Sequence, residues 1–163
     1  MHASFALFAG LVALTQFATA APDAVPEVTT LKLWNGESSV DATHEAIKQR
    51  SDISGARIFA RQSNINCKGS AFCERLGGSC DEAFRKIIAT NTYSSYDGPD
   101  NTGTCSGTCG IFLSGGGCQA TGQELIDAYN DIRNKGHCTH CGHWTRDSDQ
   151  CLIKIDRVTG CHQ

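Results

Sequence analysis

The sequence predicts an α+β fold held together by disulfides, and three patterns carry this prediction. Two stretches have the apolar spacing of amphipathic helices, and several short runs have the length and alternation of strands. All ten cysteines lie between Cys67 and Cys161, at a density typical of a disulfide scaffold. Ten is an even number, so we expect five disulfides. The two helices are expected to pack on one face of a mostly antiparallel sheet.

The clearer helix begins at Thr121. Thr121 and Glu124 have the spacing of a capping box, in which each side chain bonds the other residue's backbone N–H. Leu125, Ile126, Tyr129 and Ile132 then form one apolar stripe. Gly136 is placed to end the helix in the left-handed conformation.

The other helix is predicted from Ser79 to about Thr90. Ser79 and Glu82 repeat the capping-box spacing. Its apolar positions include Phe84, which we expect in the core, as we do Tyr129 of the clearer helix. The predicted strands cover 63–68, 92–96, 109–113, 138–144 and 151–158.

The chain before this domain divides into two parts. Residues 1–20 are predicted to be a secretory signal peptide, because an uncharged apolar run is followed by the small residues Ala18, Thr19 and Ala20. Residues 21–61 contain no cysteine and are predicted to be a propeptide or a disordered leader, either cut after Arg61 or kept as a flexible arm. The disulfide-rich domain is then 62–163, in a secreted, extracellular protein.

The charge of this domain excludes some partners. Residues 62–163 contain nine Lys and Arg against eleven Asp and Glu, which gives a net charge of −2. Such a domain lacks the basic surface that binds nucleic acid or an anionic membrane. No other stretch is long or apolar enough to span a bilayer, so we expect no stable membrane insertion. We also expect a monomer.

The segment around the last CxxC pair offers two chemical alternatives. His137, Cys138, His140, Cys141 and His143 have ligand-like spacing for zinc, but the secretory route oxidises thiols and favours disulfides, so no metal or other cofactor is expected. A small secreted ribonuclease or hydrolase is the other alternative. It would draw an acid, a base and a cation from the same histidines with Glu124 and Arg146. The sequence otherwise contains none of the common catalytic motifs, so a non-enzymatic protein is favoured.

Two cysteine motifs, taken in order, resemble a known family. INCKGSAFC at Ile65 to Cys73 is followed by GHCTHCG at Gly136 to Gly142 and by Cys161. This combination resembles the fungal killer-toxin family of the smut killer protein four type. The resemblance covers nearly the whole proposed domain.

The resemblance implies a fold and two disulfides. The fold is an α/β sandwich, a small antiparallel sheet packed by two antiparallel helices. The implied disulfides are Cys67–Cys138 and Cys73–Cys141. The resemblance leaves the pairing of six cysteines open: Cys80, Cys105, Cys109, Cys118, Cys151 and Cys161.

The resemblance also implies a function: inhibiting the growth of competing or host cells by blocking their calcium channels, without catalysis. Lys68, the basic residue of the first motif, is the candidate target contact, although an ordinary solvated lysine is the simpler interpretation. The family's blocking lysine lies two residues before a middle cysteine, where this chain has Gly103 or Gly107. That departure favours an alternative, a virulence effector or binding module that has changed its target.

Overall fold

The computed structural model describes residues 27–46, 64–70, 72–73, 76, 78–96 and 100–161. The predicted signal peptide and Arg61 lie outside these ranges. Within them, the elements in chain order are β1 (Glu27–Trp34), β2 (Ser39–Ala46), β3 (Ile65–Asn66), α1 (Ser79–Arg85), β4 (Thr92–Ser94), β5 (Gly103–Ser106), β6 (Cys109–Ser114), β7 (Gln119–Thr121), α2 (Gly122–Asn130), β8 (Gly142–Thr145) and β9 (Leu152–Arg157). No helix in the described ranges is long and apolar enough to cross a membrane.

Seven of the described strands form one sheet in the order β2-β1-β5-β6-β9-β8-β3, and β4 pairs with β7 in a separate ribbon. All neighbours in the sheet are antiparallel except β1 and β5, which are parallel. The α+β class with a disulfide framework is therefore confirmed. The sheet is larger than the small antiparallel sheet that the resemblance implied, because β1 and β2 extend it.

The hairpin β1–β2 lies in the segment predicted to be a propeptide or disordered leader. That prediction is wrong about disorder for residues 27–46, since the two strands pair along their whole length. A sequence signal for the hairpin exists. Asn35-Gly36 follows the alternating run Leu31–Trp34, and this dipeptide is a strong hairpin signal. In the structure Gly36 has a φ of +105°, and the Asn35 side chain accepts hydrogen bonds from the N–H groups of Glu37 and Ser38.

The sheet buries a separate apolar cluster on each face. On the helix face, Ile111 and Leu113 of β6 and Ile153 and Ile155 of β9 share a core with residues of α1 and α2. Residues directly opposite on paired strands point to the same side of a sheet. The pairs therefore place the following residues on the other side, here called the second face: Cys105, Phe112, His143, Lys154 and Asp156. The hairpin covers part of this second face, where Leu31 and Leu33 pack against Phe112.

The two predicted capping boxes have different outcomes. At α2, the Thr121 hydroxyl accepts from the Glu124 N–H and the Glu124 carboxylate accepts from the Thr121 N–H, as predicted. At α1 the box is wrong: Gly78 is the N-cap and no side chain caps the helix. The Glu82 carboxylate instead accepts a hydrogen bond from the hydroxyl of Ser106, on β5, at 2.8 Å. It therefore binds the sheet and not the start of the helix.

The helices meet through aromatic rings, as expected of core residues. The Phe84 and Tyr129 rings stack with centroids 4.4 Å apart. The Tyr129 hydroxyl donates to the carboxylate of Asp81 at 2.8 Å. This contact joins the two helices directly.

The end of α2 differs from the prediction. The helix continues into a π turn, Asp131–Lys135, and Gly136 has a φ of −79°. The left-handed residue is His137, with a φ of +54°. Gly136 is required for space, because a Cβ at this position would lie 2.4 Å from the Ile65 side chain and 2.8 Å from the Ile132 carbonyl oxygen.

We expect Thr121→Ala to lower the free energy of unfolding by about 1 kcal/mol, because the Glu124 N–H loses its acceptor at the start of α2. Urea denaturation with the disulfides intact measures this change. The matched control is Thr139→Ala, since Thr139 is exposed and caps no helix. An equal loss in both variants would contradict the capping role.

Candidate functional site

The first cysteine motif forms an exposed loop held by two disulfides. Cys67 is bonded to Cys138 and Cys73 to Cys141, the two pairs that the resemblance implies. They join the start of the domain to the turn after α2, across 71 and 68 residues of chain. In the chain-entropy model each closure stabilises the fold by about 4 kcal/mol. Lys68 lies between the two attachments and its side chain is exposed.

The other three disulfides use the six cysteines whose pairing the sequence left open: Cys80–Cys109, Cys105–Cys161 and Cys118–Cys151. Cys80–Cys109 ties α1 to β6 on the helix face. Cys105–Cys161 lies on the second face and belongs to the same apolar cluster as Phe112. No cysteine of the chain is free.

The structure gives a physical reason for the Gly-Ser that follows Lys68. A Cβ on Gly69 would lie 2.3 Å from the Cys141 Cβ and 2.6 Å from the Cys73 Sγ, so only glycine lets the loop pass under the Cys73–Cys141 disulfide. Ser70 comes next, and its backbone N–H donates to the Asp156 carboxylate. The motif thus places the loop against a buried acid.

Asp156 is a buried carboxylate with three hydrogen-bond donors around it. Its carboxylate accepts from the Ser70 N–H at 2.9 Å, the Arg157 N–H at 2.8 Å and His44 Nε2 at 3.0 Å, and its residue is 4% exposed. The Cys141 Sγ lies 3.1 Å from the same carboxylate. A disulfide sulfur has no proton to donate, so this is a packing contact and not a hydrogen bond.

These donors decide the ionisation of Asp156. Burial alone would raise the pKa of Asp156, but the hydrogen bonds from His44, Ser70 and Arg157 outweigh it and hold that pKa below its ordinary value. Asp156 is therefore an ionised carboxylate at neutral pH. Its partners come from the hairpin, the first motif and β9, so one charge connects three parts of the chain.

Two basic groups lie beside Asp156 on the second face. Burial, followed by the nearby positive charge of Lys154, lowers the pKa of His143. Burial also lowers the pKa of Lys154, against the opposing effect of Asp156 and Glu27. His143 pairs with Asn66 of β3, two residues before Lys68, so the exposed loop borders the second face.

The zinc alternative fails on the chemistry of the sulfur atoms. The Cys73 and Cys141 sulfurs and an Asp156 oxygen lie within 4.8 Å of one another, a spacing that a metal ion could bridge. However, zinc binds thiolates, and both cysteines of the predicted zinc segment are in disulfides, Cys138 with Cys67 and Cys141 with Cys73. In the disulfide form, these cysteines offer no thiolate to a metal ion.

His143 and Glu124, two residues of the ribonuclease alternative, lie on opposite sides of the sheet. Glu124, at the start of α2, forms an ion pair with Arg146 at 3.0 Å, and Arg146 also binds Asp149. His143 projects from the second face, opposite the helices, and its neighbours are Lys68 and Lys154. His137 and His140 are exposed in the turn after α2. The structure therefore does not bring His143 together with Glu124 as an acid–base pair.

The resemblance to killer toxins placed a blocking lysine at a position that here corresponds to Gly103 or Gly107, and the structure favours glycine at both. A Cβ on Gly103 would lie 2.0 Å from the Ile111 carbonyl oxygen on the neighbouring strand. Gly107 has a φ of +53° in the tight β5–β6 turn, and a Cβ there would lie 2.8 Å from the Ser79 hydroxyl. The geometry of the β5–β6 hairpin therefore favours glycine at both positions.

A polar cleft of about 660 Å³ lies between the hairpin and the rest of the domain. Its walls carry three carboxylates, those of Glu27, Asp41 and Asp100, together with Lys32 and Tyr96. The hairpin supplies one whole wall, so the cleft exists only while the hairpin is in place. Sequence reasoning missed this cleft together with the hairpin.

Comparison with known protein families matches residues 65–161 to MU117, the meiotically up-regulated gene family. The match spans more than half of the chain and begins after the hairpin. No curated protein matches the chain. No solved structure matches it either.

We expect Asp156→Asn to lower the free energy of unfolding by about 2 to 4 kcal/mol at pH 7, because a buried charged acceptor is lost from three donors. A depressed pKa stabilises the fold above the ordinary value of 3.8 and stops doing so as pH falls through the folded value. The gap between wild type and variant should therefore narrow below about pH 4.

Urea denaturation between pH 3 and pH 7, followed by tryptophan fluorescence, measures both effects. Asp147→Asn is the matched control, because Asp147 is exposed, and should change stability by less than about 0.5 kcal/mol. A gap that stays constant over this pH range would show that the charge of Asp156 does not stabilise the fold.

Proposed function

The chain belongs to MU117, the meiotically up-regulated gene family, and we propose that it is a secreted, killer-toxin-like protein that inhibits the growth of competing or host cells without catalysis. The observation that carries the proposal is the exposed Lys68 loop, fixed at both ends by disulfides to the turn after α2. The target we propose is a calcium channel in the membrane of the affected cell.

The disulfide framework supports a protein that works outside the cell. Five disulfides tie the domain together, and such frameworks form and persist in oxidising compartments. Both helices share a core with β6 and β9, which supports the sandwich arrangement, with two antiparallel helices on one side of the sheet. We propose this arrangement as the scaffold that holds the loop.

The loop has the chemistry of a recognition surface. Lys68 offers an exposed cation, and Phe72 on the same loop is 43% exposed. The Arg157 guanidinium lies 5.1 Å from the centre of the Phe72 ring. Aromatic and arginine side chains carry much of the energy of protein interfaces, and a loop attached by two disulfides has less conformational freedom to lose on binding.

We expect Lys68→Gln to raise the dose needed for growth inhibition at least about tenfold, since a tenfold change corresponds to one contact of about 1.4 kcal/mol. Growth of a susceptible fungus with purified protein, with and without added calcium, measures the effect. Added calcium should relieve inhibition by the wild type.

The matched control is Lys135→Gln. Lys135 is also exposed, and its ion pair with Asp131 is a surface pair that contributes little to stability. Equal potency of the two variants would show that Lys68 does not contact the target. Inhibition that calcium does not relieve would argue against channel block, and no inhibition at any dose would argue against the toxin proposal.

A second candidate, an effector or binding module with a different target, is favoured by Gly103 and Gly107. Neither position holds the blocking lysine of the killer-toxin family, Gly103 has no room for one, and the net charge of the whole chain is −3. Pull-down of labelled protein on target-cell membranes and on soluble cell-wall material separates the two candidates. Binding to the soluble fraction alone would favour the binding module.

A further inference from the structure

The hairpin Glu27–Ala46 lies across the second face and fills a site there. Leu31, Leu33 and Ala42 pack in one cluster with Phe112 and Val158. Leu33 and Phe112 are both fully buried. The hairpin thus provides the apolar cover of this part of the face.

Polar contacts fix the position of the hairpin. The His44 ring meets the edge of Phe112 with centroids 5.0 Å apart, and its Nε2 donates to Asp156. Thr43 and Thr159 exchange two backbone hydrogen bonds, of 2.7 and 2.9 Å. Each strand of the hairpin therefore has specific partners in the domain.

The hairpin also extends the sheet at β5. Leu33 and Trp34 pair with Gly103 and Thr104 in parallel, and the Thr102 N–H donates to the Lys32 carbonyl at 2.7 Å. Without the hairpin, β5 is the edge strand of the remaining sheet, with open backbone groups. Such an edge accepts an added extended segment.

The hairpin is held differently from the rest of the domain. All five disulfides lie between Cys67 and Cys161, so no covalent bond other than the chain itself connects the hairpin to the domain. The family match also covers only residues 65–161. Cutting the chain between residues 46 and 64 would leave the hairpin bound by non-covalent contacts alone.

We propose that the second face is a binding site for an extended segment, and that residues 27–46 occupy and mask it until the chain is cut. The cut is hydrolysis of one peptide bond by a protease, with water as the co-reactant. The partner that replaces the hairpin presents an extended strand along β5, an apolar side chain where Leu33 lies and a hydrogen-bond donor where His44 meets Asp156. Since the Lys68 loop borders this face, the inference rests on the proposed function for its biological meaning.

The test uses the full chain with one protease site placed within residues 50–60. The protein is folded with its disulfides formed, cut, and separated by gel filtration under native conditions. We expect the fragment with the hairpin to leave, while the remaining domain keeps its five disulfides and its near-ultraviolet circular dichroism. Retention of the fragment at nanomolar concentration, or loss of the domain's tertiary signal on release, would show that the hairpin is an integral part of the fold.

The probe for the emptied site is a synthetic peptide of residues 27–46, measured by fluorescence anisotropy on the cut domain. Leu33→Ala and His44→Ala in the peptide should each weaken binding at least about tenfold, because each removes a buried contact. Val28→Ala is the matched control, since Val28 is 60% exposed, and should change binding less than about twofold. Equal binding by all variants would overturn the site.

Hydrogen exchange on the uncut protein gives an independent measurement. Amides of β1 and β2 should exchange through a local opening, faster than those of β6 and β9. Exchange of both groups only by global unfolding would overturn the separable mask. Growth assays on cut and uncut protein keep the two proposals distinct: peptide binding without any growth inhibition would support the masked site and contradict the toxin function.

Discussion

The contact between Asp156 and the Cys73–Cys141 disulfide is the constraint on which the other features depend. A carboxylate this deeply buried stays ionised only if its oxygens are satisfied by donors. Ser70 supplies one donor, and it reaches Asp156 because Gly69 lets the loop pass under the disulfide. The first cysteine motif is therefore a set of residues that builds one environment, in which the sulfurs exclude water and the backbone satisfies the charge.

The two faces of the sheet are covered in different ways, one with disulfides and one by non-covalent contacts. The helix face has a large apolar core and is tied covalently through Cys80–Cys109 and Cys118–Cys151. The second face has a smaller cluster, and its cover is held through two leucines, a histidine and a few backbone hydrogen bonds. The cover without a disulfide lies over the charged groups, and the exposed Lys68 loop lies at its border.

The sequence predicted what depends on local pattern. The α2 capping box and the strands near 109–113 and 151–158 follow from local pattern alone, because neighbours along the chain determine them. The lack of cysteine in residues 21–61 predicts a leader and not the hairpin. Its apolar residues find their partners in Phe112 and Val158, far along the chain, although Asn35-Gly36 indicated a turn. The Ser79 box failed since Ser106, brought near by the sheet, binds Glu82.

The site was predictable only in part for the same reason. Spacing could group the histidines with the last CxxC pair, but strand alternation separates His143 from Glu124 by the thickness of the sheet. The contact between Asp156 and His44 could not be predicted from the sequence. A single acid on a strand and a single histidine in a leader form no motif, and only the fold brings them together.

The tight β5–β6 hairpin restricts how this protein can evolve. A lysine at Gly103 would displace the Ile111 carbonyl from its strand, and one at Gly107 would have to share a left-handed backbone position with the Ser79 hydroxyl. A lysine therefore cannot be gained at Gly103 without remodelling the paired strands. Descendants of this sequence have an easier mutational route at Lys68 of the motif loop, where the side chain is exposed.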